Sequence, residues 1–272
     1  MRSDLSTSRG LTSSNHKPIM ENRIYLSVVI PAYGEEKRIE GTLRAIDAYL
    51  SRQKYAYEII VVNDGSKDGT ARVVEGMIKK IRNLKLLDNR VNHGKGYVVR
   101  QGMLAAKGDY RLFTDSDNST PVEEVEKLLP YFKQGYDIVI GSRDVKGAKL
   151  EPPQPMYRRF LGEGFGFLTN IVVGTWGISD TQCGFKMMSA HAANEILPLC
   201  KIERFAFDPE ILAIAKNKKL KIKEVGILWR NDLRSTVKAS SMVKMFFDLL
   251  KIRLNMIKGI YNGKSKPAQS SR

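Results

Sequence analysis

The sequence has 272 residues, of which 42% are hydrophobic and 27% charged, and this composition excludes a fibrous or disordered chain. It suits a globular protein of one large or two small domains, and two cysteines exclude a disulfide framework and favour a reducing compartment. Residues 216–272 hold fifteen lysines and arginines against three acids, which is twelve of the sixteen excess positive charges. This asymmetry predicts an anionic partner, either nucleic acid or an anionic membrane surface, with a solvated basic face as the alternative.

Residues 1–22 are predicted to be a disordered tail, because residues 1–18 are rich in serine and threonine and lack the apolar run of a secretory signal. No eighteen consecutive uncharged apolar residues occur, so we expect no ordinary transmembrane helix. Residues 160–178 come nearest to one, but they include Glu163 and five glycines. We expect a helix there that is buried in the core or lies at a membrane interface.

Short apolar runs alternate with helical patterns in the first half of the chain. Predicted strands lie at 25–30, 57–62, 84–87, 110–114 and 136–140, and predicted helices at 36–50, 69–81, 96–106 and 122–132. This alternation predicts an α/β fold with a right-handed, mostly parallel sheet flanked by helices. Later elements are a proline-rich loop at 151–155, a helix at 208–216 and a strand at 220–229. The predicted domain therefore spans 23–240, followed by a basic amphipathic helix at 241–262 and a disordered tail at 263–272.

Four predicted strands run into polar segments that are rich in acids or glycine, namely "PAYGEE", "NDGSKDGT", "DSDNSTP" and "GSRD". In sheets of this class, ligands bind at the carboxyl ends of the strands. One polar exit would be an ordinary loop, whereas four along one edge indicate a binding site.

Asp115 and Asp117 flank one serine directly after a predicted buried strand. Alternate residues of an extended chain share a face, so both carboxylates can reach one cation, and oxygen ligands suit Mg²⁺ or Mn²⁺ completed by substrate phosphates. A solvated turn or a helix cap is the alternative for such a triplet. Residues 118–120 before Pro121 are typical of a helix N-cap, which is compatible with metal binding because different residues are used.

The exit of the second strand places Asp64 for a contact with a ribose or a base, and Gly65 for a tight turn. Asp68 is predicted to cap the following helix. Residues 92–102 supply glycines, a lysine and a helix N-terminus, a combination that attracts phosphate. The full P-loop pattern is absent from them, which argues against an ATPase.

Arg143 can hold a phosphate through two parallel hydrogen bonds. The alternative for this arginine is a surface ion pair with Asp144 or Glu151.

Six segments in this order resemble the family 2 glycosyltransferases, and more narrowly the dolichyl- or polyprenyl-phosphate sugar synthases. They are "SVVIPAYGEEKRI", "EIIVVNDGSKDGT", "NHGKGYVVRQGM", "FTDSDNSTP", "DIVIGSR" and "DTQCGFK". The similarity runs from about residue 25 to residue 260. It implies a glycosyltransferase-A fold, which is Rossmann-like, and a metal-dependent, inverting transfer of a sugar from a nucleotide diphosphate to a lipid phosphate.

The resemblance also implies roles for individual residues. The nucleotide-sugar side would use Pro31, Ala32, Tyr33, Glu35, Asp64, Gly65, Lys95 and Asp115. The catalytic set would be Asp115, Asp117 and Arg143, with Asp117 the more direct ligand of Mg²⁺ or Mn²⁺ and Asp115 the second. The acceptor side would use Asp180, Gln182, Lys186, Asp208 and Glu210. An ionised lipid phosphate needs little help from a base, and Asp208 or Glu210 would be the choice if one acts.

Ser119 narrows the choice of sugar donor that the resemblance implies. Mannosyl members often have glutamine at this position, so the pattern is closer to the dolichyl-phosphate glucosyltransferase branch, and UDP-glucose is the first donor, followed by UDP-N-acetylglucosamine or GDP-mannose. Relatives often read Gly-Ser-Lys where this chain has residues 234–236, so a cation serving phosphate is either missing or supplied by Lys238.

The predicted 241–262 helix carries apolar side chains around more than half of its circumference, interleaved with four basic residues. Such a helix can lie in a membrane interface, or it can pack on the domain. Trp176 and Trp229 would be interface anchors or core residues. We therefore expect an enzyme at the cytoplasmic face of a membrane, peripheral or monotopic, with dolichyl or polyprenyl phosphate as acceptor and no nucleic acid partner. The alternatives are a glycosyltransferase acting on a hydroxyl in solution and a basic nucleic-acid-binding module.

Overall fold

The computed structural model describes residues 23–152, 156–230 and 239–263. The tail predicted at 1–22, almost all of the one predicted at 263–272, and Lys238 lie outside these residues. Among the described residues are eight α-helices and nine strands. The predicted α/β class is confirmed.

The strands are β1 (Leu26–Ala32), β2 (Tyr57–Asp64), β3 (Leu84–Asn89), β4 (Tyr110–Thr114), β5 (Ile138–Ser142), β6 (Lys149–Glu151), β7 (Phe185–Ser189), β8 (Ile222–Gly226) and β9 (Leu228–Arg230). Seven of them form one sheet in the order β3-β2-β1-β4-β7-β5-β8, while β6 and β9 form a separate parallel pair. The strand predicted at 220–229 is thus two strands, because the chain leaves the main sheet at Ile227, whose N–H bonds to the carbonyl of Ser142.

The main sheet is parallel except for β7, which is antiparallel to β4 and to β5. The register pairs Thr114 with Phe185 and Ile140 with Lys186. Since β7 runs backwards, its first residue lies at the edge where β4 and β5 end. Residues 179–184, which precede β7, are therefore brought to the carboxyl edge of the parallel strands.

The helices are α1 (Ile39–Leu50), α2 (Thr70–Ile78), α3 (Lys95–Ala105), α4 (Val125–Lys133), α5 (Met156–Val173), α6 (Ala190–Ile196), α7 (Phe207–Asn217) and α8 (Ala239–Ile257). One hydrophobic cluster joins one face of the sheet to α1, α2 and α4, and a second joins the other face to α3, α6 and α7. α5 and α8 pack on each other and on α7. This double covering explains the continuous apolar runs: every residue of β1 is buried.

Several predicted helix boundaries move. α1 begins at Ile39 rather than at residue 36, because Gly34 adopts a left-handed φ of 70° and the carbonyl of Glu35 accepts from Arg38 and Ile39. The predicted cap at 118–120 is wrong: the turn Val122–Glu124 is a 3-10 helix without a side-chain cap. The carboxylate of Asp68 does accept from the N–H of Thr70 at 3.1 Å, at the start of α2.

The C-terminal helix α8 ends before Gly259, whose φ of 68° stops the helix, and a 3-10 turn at Ile260–Asn262 follows. Leu249 and Ile252 of α8 have no exposed surface and belong to the core. Phe247 and Ile257, by contrast, are more than 60% exposed. Across the described residues, none of the helices is both long enough and apolar enough to cross a membrane.

Candidate active site

The four polar strand exits meet at one edge of the sheet, because β1, β2, β4 and β5 all run in the same direction. Residues 179–184 reach the same edge through the antiparallel β7. The strand pattern predicted the four exits, whereas the fifth segment was implied only by the resemblance, through Asp180, Gln182 and Lys186. This edge is the candidate active site.

Asp115 and Asp117 follow β4 at the middle of this edge. Oδ1 of Asp115 lies 2.5 Å from the ammonium nitrogen of Lys95, and Oδ1 of Asp117 accepts from the N–H of Ser119 at 2.9 Å. The second contact closes a tight turn in which Asn118 takes a left-handed φ of 55°. Each carboxylate therefore has one oxygen engaged by the protein and a second with which to meet a cation.

Two bonds from distant parts of the chain hold this turn in place. The hydroxyl of Thr42 donates to the carbonyl of Ser116 at 2.7 Å, and the N–H of Arg230 donates to the carbonyl of Ser119 at 2.7 Å. Ser119 itself is buried. The position at which the resemblance suggested a glucosyl rather than a mannosyl donor is thus part of a fixed backbone turn.

Gly184 packs directly against Asp115. A β-carbon at this position would overlap the Asp115 carboxylate. The glycine of the "DTQCGFK" segment therefore lets the chain before β7 pass close to the aspartate, a requirement that the sequence alone did not reveal.

Lys95 carries its charge into a partly buried position. Burial lowers its pKa, but the carboxylates of Asp115 and Asp208 raise it more strongly, so that the pKa lies above its ordinary value. The side chain therefore stays protonated and gives the edge a fixed positive charge.

The predicted donor residues occupy the β1 and β2 side of the edge. Pro31 and Ala32 are buried at the end of β1, and Tyr33 is 54% exposed just beyond it. Glu35 accepts two hydrogen bonds of 2.8 Å from the guanidinium of Arg38. This leaves Tyr33 as the exposed ring at which a base can stack.

Asp64 uses both of its oxygens on the glycine turn that precedes α3. The N–H of His93 donates to Oδ1 at 2.7 Å and the N–H of Gly94 to Oδ2 at 2.9 Å. Gly65, with a φ of 68°, lets the backbone at Val91 pack against it, since a β-carbon there would lie 2.5 Å from the carbonyl carbon of Val91. Asp64 thus organises the loop that carries Lys95.

Arg143 lies on the other side of the edge and pairs with Asp180. Its Nε and Nη2 donate to the two carboxylate oxygens at 2.7 and 2.9 Å, and its guanidinium carbon lies 4.9 Å from the ring centre of Trp229. The sequence analysis named Asp144 or Glu151 as an alternative ion-pair partner of Arg143, and it did not predict this bidentate bond with Asp180. Burial raises the pKa of Asp180, but Arg143 lowers it by more than burial raises it. The pKa therefore lies below its ordinary value and the carboxylate stays ionised.

Lys186 and Asp208 form a buried ion pair beneath the edge. The ammonium group, which has no exposed surface, donates to Oδ1 of Asp208 at 2.6 Å and to the carbonyl of Cys183 at 2.5 Å. Burial raises the pKa of Asp208, partly offset by Lys186 and Lys95.

Glu210, two residues further along α7, is fully buried, and its oxygens accept from the backbone of residues 201 and 202 and from Tyr261.

Three buried polar side-chain atoms among the described residues of these segments have no hydrogen-bond partner: Oγ1 of Thr120, Oγ1 of Thr181 and Nε2 of Gln182. Unsatisfied buried donors are uncommon in native proteins and point to a partner that is supplied from outside. Gln182 was predicted on the acceptor side, whereas the two threonines were not singled out.

The residues present fit a divalent cation. No group of three histidine, cysteine or acidic side chains in the described segments could hold a metal unaided. Two carboxylates on one turn, at a site flanked by cationic Lys95 and Arg143, match a Mg²⁺ or Mn²⁺ whose other ligands are phosphate oxygens and water.

Comparison with known proteins agrees with this geometry. The family described as "Glycosyl transferase family 2" matches residues 27–197. Dolichyl-phosphate beta-glucosyltransferases from Trichomonas vaginalis, Dictyostelium discoideum and Homo sapiens are 39%, 37% and 36% identical to the chain. The matches cover 90%, 92% and 87% of this chain and 75%, 80% and 77% of the relatives.

Among solved structures, glucosyl-3-phosphoglycerate synthase from Mycobacterium tuberculosis, in complex with Mn²⁺, UDP and its glucosylated product, superposes with a TM-score of 0.65 at 19% identity. The match covers 85% of this chain and 79% of that one. Mannosyl-3-phosphoglycerate synthase from Rubrobacter xylanophilus gives 0.66 at 16% identity, over 90% and 78%. These likenesses confirm the predicted glycosyltransferase-A fold.

Proposed function

This chain belongs to glycosyl transferase family 2, and on that premise we propose that it transfers glucose from UDP-glucose to dolichyl phosphate. The support for glucose and for dolichyl phosphate is the name shared by relatives that are 36–39% identical over most of both chains. Ser119 agrees with this donor, because the glutamine typical of mannosyl members is absent. The family also favours an enzyme over the nucleic-acid-binding alternative.

The observation that carries the mechanism is the arrangement of charge at the sheet edge. Asp115 and Asp117 would hold Mg²⁺ or Mn²⁺, which would neutralise the charge that develops on the departing diphosphate. Lys95 and Arg143 supply fixed cations on either side of these carboxylates. Such preorganised charge stabilises the transition state without reorganisation.

The reaction itself requires little proton transfer. An ionised oxygen of dolichyl phosphate attacks the anomeric carbon of glucose from the face opposite the UDP, while the bond to the diphosphate oxygen breaks and its electrons leave with UDP. An α-linked donor therefore gives a β-linked lipid product. Asp208 is engaged by Lys186 in the buried pair, which agrees with a mechanism that needs no strong base.

The membrane surface is the third part of the proposal. Exposed apolar side chains lie on α5, on the loop after it and on α8, including Phe167, Trp176, Phe247 and Ile257. Exposed Lys251 and Arg253 accompany them on α8. Apolar groups interleaved with cations suit an anionic membrane surface, where the lipid acceptor resides.

The activity is tested with the full chain, labelled nucleotide sugars and dolichyl phosphate in detergent. We expect transfer from UDP-glucose with Mg²⁺ or Mn²⁺, loss of transfer with EDTA, and weaker transfer from UDP-N-acetylglucosamine and GDP-mannose. Absence of transfer from all three donors would contradict the proposal. Transfer of glucose to a soluble hydroxyl but not to the lipid would favour the hydroxyl-acceptor alternative.

The membrane contact is tested by flotation with vesicles that contain anionic lipid. We expect the wild-type chain to float and Phe247→Glu to float less. Ile78→Glu is the matched control, because Ile78 is an exposed apolar residue on α2, which packs on the opposite face of the sheet. Equal flotation of the two variants would remove α8 from the membrane contact.

A further inference from the structure

One tyrosine ties the C-terminal turn to the interior. Tyr261 follows α8 and has no exposed surface. Its hydroxyl donates to Oε1 of Glu210 at 2.7 Å and accepts from Nδ2 of Asn255 at 3.0 Å. Since Glu210 also has no exposed surface, this is a fully buried bond between the chain's C-terminal turn and α7.

Glu210 in turn holds the segment that leads into α7. The N–H of Lys201 donates to Oε1 at 2.8 Å, and the N–H of Ile202 donates to Oε2 at 2.9 Å. A buried carboxylate is tolerated only when its oxygens accept hydrogen bonds, and these two amides and Tyr261 supply them. Moving the carboxylate therefore moves residues 201 and 202.

Residues 202–204 form one wall of the glycine turn before α3. The carbonyl of Glu203 accepts from the N–H of Tyr97 at 3.1 Å. A β-carbon on Gly94 would lie 2.5 Å from that carbonyl oxygen, and one on Gly96 would lie 2.6 Å from the carbonyl oxygen of Ile202. The two backbones are in direct contact, so the position of one fixes the other.

The other side of the same turn is the donor side of the active site. Asp64 accepts from the N–H of His93 and of Gly94, and Lys95 reaches Asp115. A continuous set of contacts thus runs from Tyr261 through Glu210 and residues 201–203 to Lys95 and the carboxylate predicted to bind metal. Tyr261 and Glu210 have no exposed surface with which to contact a substrate.

We propose that Tyr261 and Glu210 are positioning residues for the nucleotide site, which couple the C-terminal helix α8 to the glycine turn that carries Lys95. The inference rests on the proposed function, because it takes the glycine turn to be part of the donor site. It gives Glu210 a role on the donor side, where the resemblance had implied one on the acceptor side. It also implies that a change in the orientation of α8 changes the affinity for the nucleotide.

The test is Tyr261→Phe in the full chain, which removes one hydroxyl and keeps the ring. We expect the Kd for UDP in the presence of Mn²⁺ and the KM for UDP-glucose to rise by about three- to tenfold, the usual range for coupling positions, with the KM for dolichyl phosphate unchanged. A purely structural role would lower the unfolding temperature and the active fraction, and so kcat, without moving the affinity for UDP.

Tyr49→Phe is the matched control, because the hydroxyl of Tyr49 also donates to a glutamate, Glu126, at 2.5 Å. This pair joins α1 to α4 on the opposite face of the sheet. We expect the control to leave the affinity for UDP unchanged. Equal UDP affinity in wild type and folded Tyr261→Phe would overturn the proposal.

A measurement on the wild type covers the case in which Tyr261→Phe does not fold. Coupling is reciprocal, so UDP with Mn²⁺ should slow amide hydrogen exchange in residues 255–262 by about threefold or more, but not in residues 43–50 of α1. Unchanged exchange at 255–262 in a chain that binds UDP would overturn the coupling and leave the proposed function standing. If the wild type neither binds UDP with Mn²⁺ nor transfers glucose, both proposals fail together.

Discussion

The ammonium nitrogen of Lys95 lies 2.5 Å from Oδ1 of Asp115, so the carboxylate predicted to bind a divalent cation already faces a positive charge. A second cation at this place is opposed by Lys95 unless the diphosphate brings compensating negative charge. This relationship predicts that metal and nucleotide bind together, and that metal alone binds weakly.

Replacing Lys95 by methionine should separate these effects. Without nucleotide, we expect Mn²⁺ to bind at least about tenfold more tightly to Lys95→Met than to wild type, because one opposing charge is gone. Transfer should fall, because the cation beside the departing diphosphate is lost as well. Titration followed by the electron paramagnetic resonance of free Mn²⁺ measures the first quantity. Lys218→Met, which removes an ion pair with Glu195 away from the edge, is the control, and unchanged Mn²⁺ affinity in Lys95→Met would contradict the prediction.

Asp117→Ala should abolish transfer while leaving the fold intact. The side chain accepts one backbone hydrogen bond within its own turn, and that turn is also held through Thr42 and Arg230. We expect a loss of at least about a hundredfold in kcat, the scale on which a metal-stabilised charge contributes. Asp109→Ala, at a partly exposed acid outside the edge, should retain activity. Retained transfer in Asp117→Ala, with an unchanged circular dichroism spectrum, would refute the metal assignment.

Gly184→Ala should damage the site through a single methyl group. That methyl would overlap the carboxylate of Asp115 and push it away from Lys95. We expect transfer to fall at least about tenfold, because small misplacements of catalytic groups are costly. Gly41→Ala is the matched control, since a β-carbon there meets nothing within 4 Å and helix α1 should gain stability of roughly 0.5–1 kcal/mol. Equal activity of the two variants, measured as kcat with both substrates saturating, would show that Gly184 is not required.

The sequence predicts those strands whose apolar residues are covered on both faces of the sheet. It does not predict a strand that contains a charged residue paired with a distant part of the chain. β1, β2 and β4 each contain consecutive buried apolar residues, at 28–30, 59–62 and 112–113. β7 was missed because its second residue is Lys186, and a lysine is seldom fully buried unless it has a partner. Asp208, twenty-two residues further on, is what makes that lysine tolerable there.

The candidate site shows the same division. Asp115, Asp117 and Lys95 stand out because each lies next to a strand end or a helix start, which local pattern detects. The pairing of Arg143 with Asp180 and of Tyr261 with Glu210 joins residues 37 and 51 positions apart, so only the fold brings them together. Local pattern carries no information about such contacts.

The buried pair of Lys186 and Asp208 predicts a large coupling energy. Lys186→Met should destabilise the chain by about 3 kcal/mol, because it leaves a buried carboxylate without its partner. The double variant with Asp208→Asn should recover part of this loss, since no isolated charge remains. Urea unfolding of the two single variants and the double variant gives the coupling energy. Additive losses would show that the two side chains do not stabilise each other.

Glu58 should make the fold sensitive to acid. Burial raises its pKa, but hydrogen bonds from the side chain of Lys85, the N–H of Lys107 and the hydroxyl of Ser27 lower it below its ordinary value of 4.5. A carboxyl whose pKa is lower in the folded state stabilises the fold above the unfolded pKa, and this stability is lost as the pH falls through the folded value.

Glu58→Gln should therefore cost about 2 kcal/mol at neutral pH, the scale of hydrogen bonds to a charged group, and less below pH 4.5. Unfolding free energies of wild type and variant, measured by urea denaturation between neutral pH and the acid range, should converge as the pH falls. Glu40→Gln is the control, because the pKa of Glu40 is also lowered but its carboxylate lies on the exposed face of α1, where water screens its pair with Arg44. A difference between wild type and Glu58→Gln that stays constant with pH would mean that the charge on Glu58 does not contribute to stability.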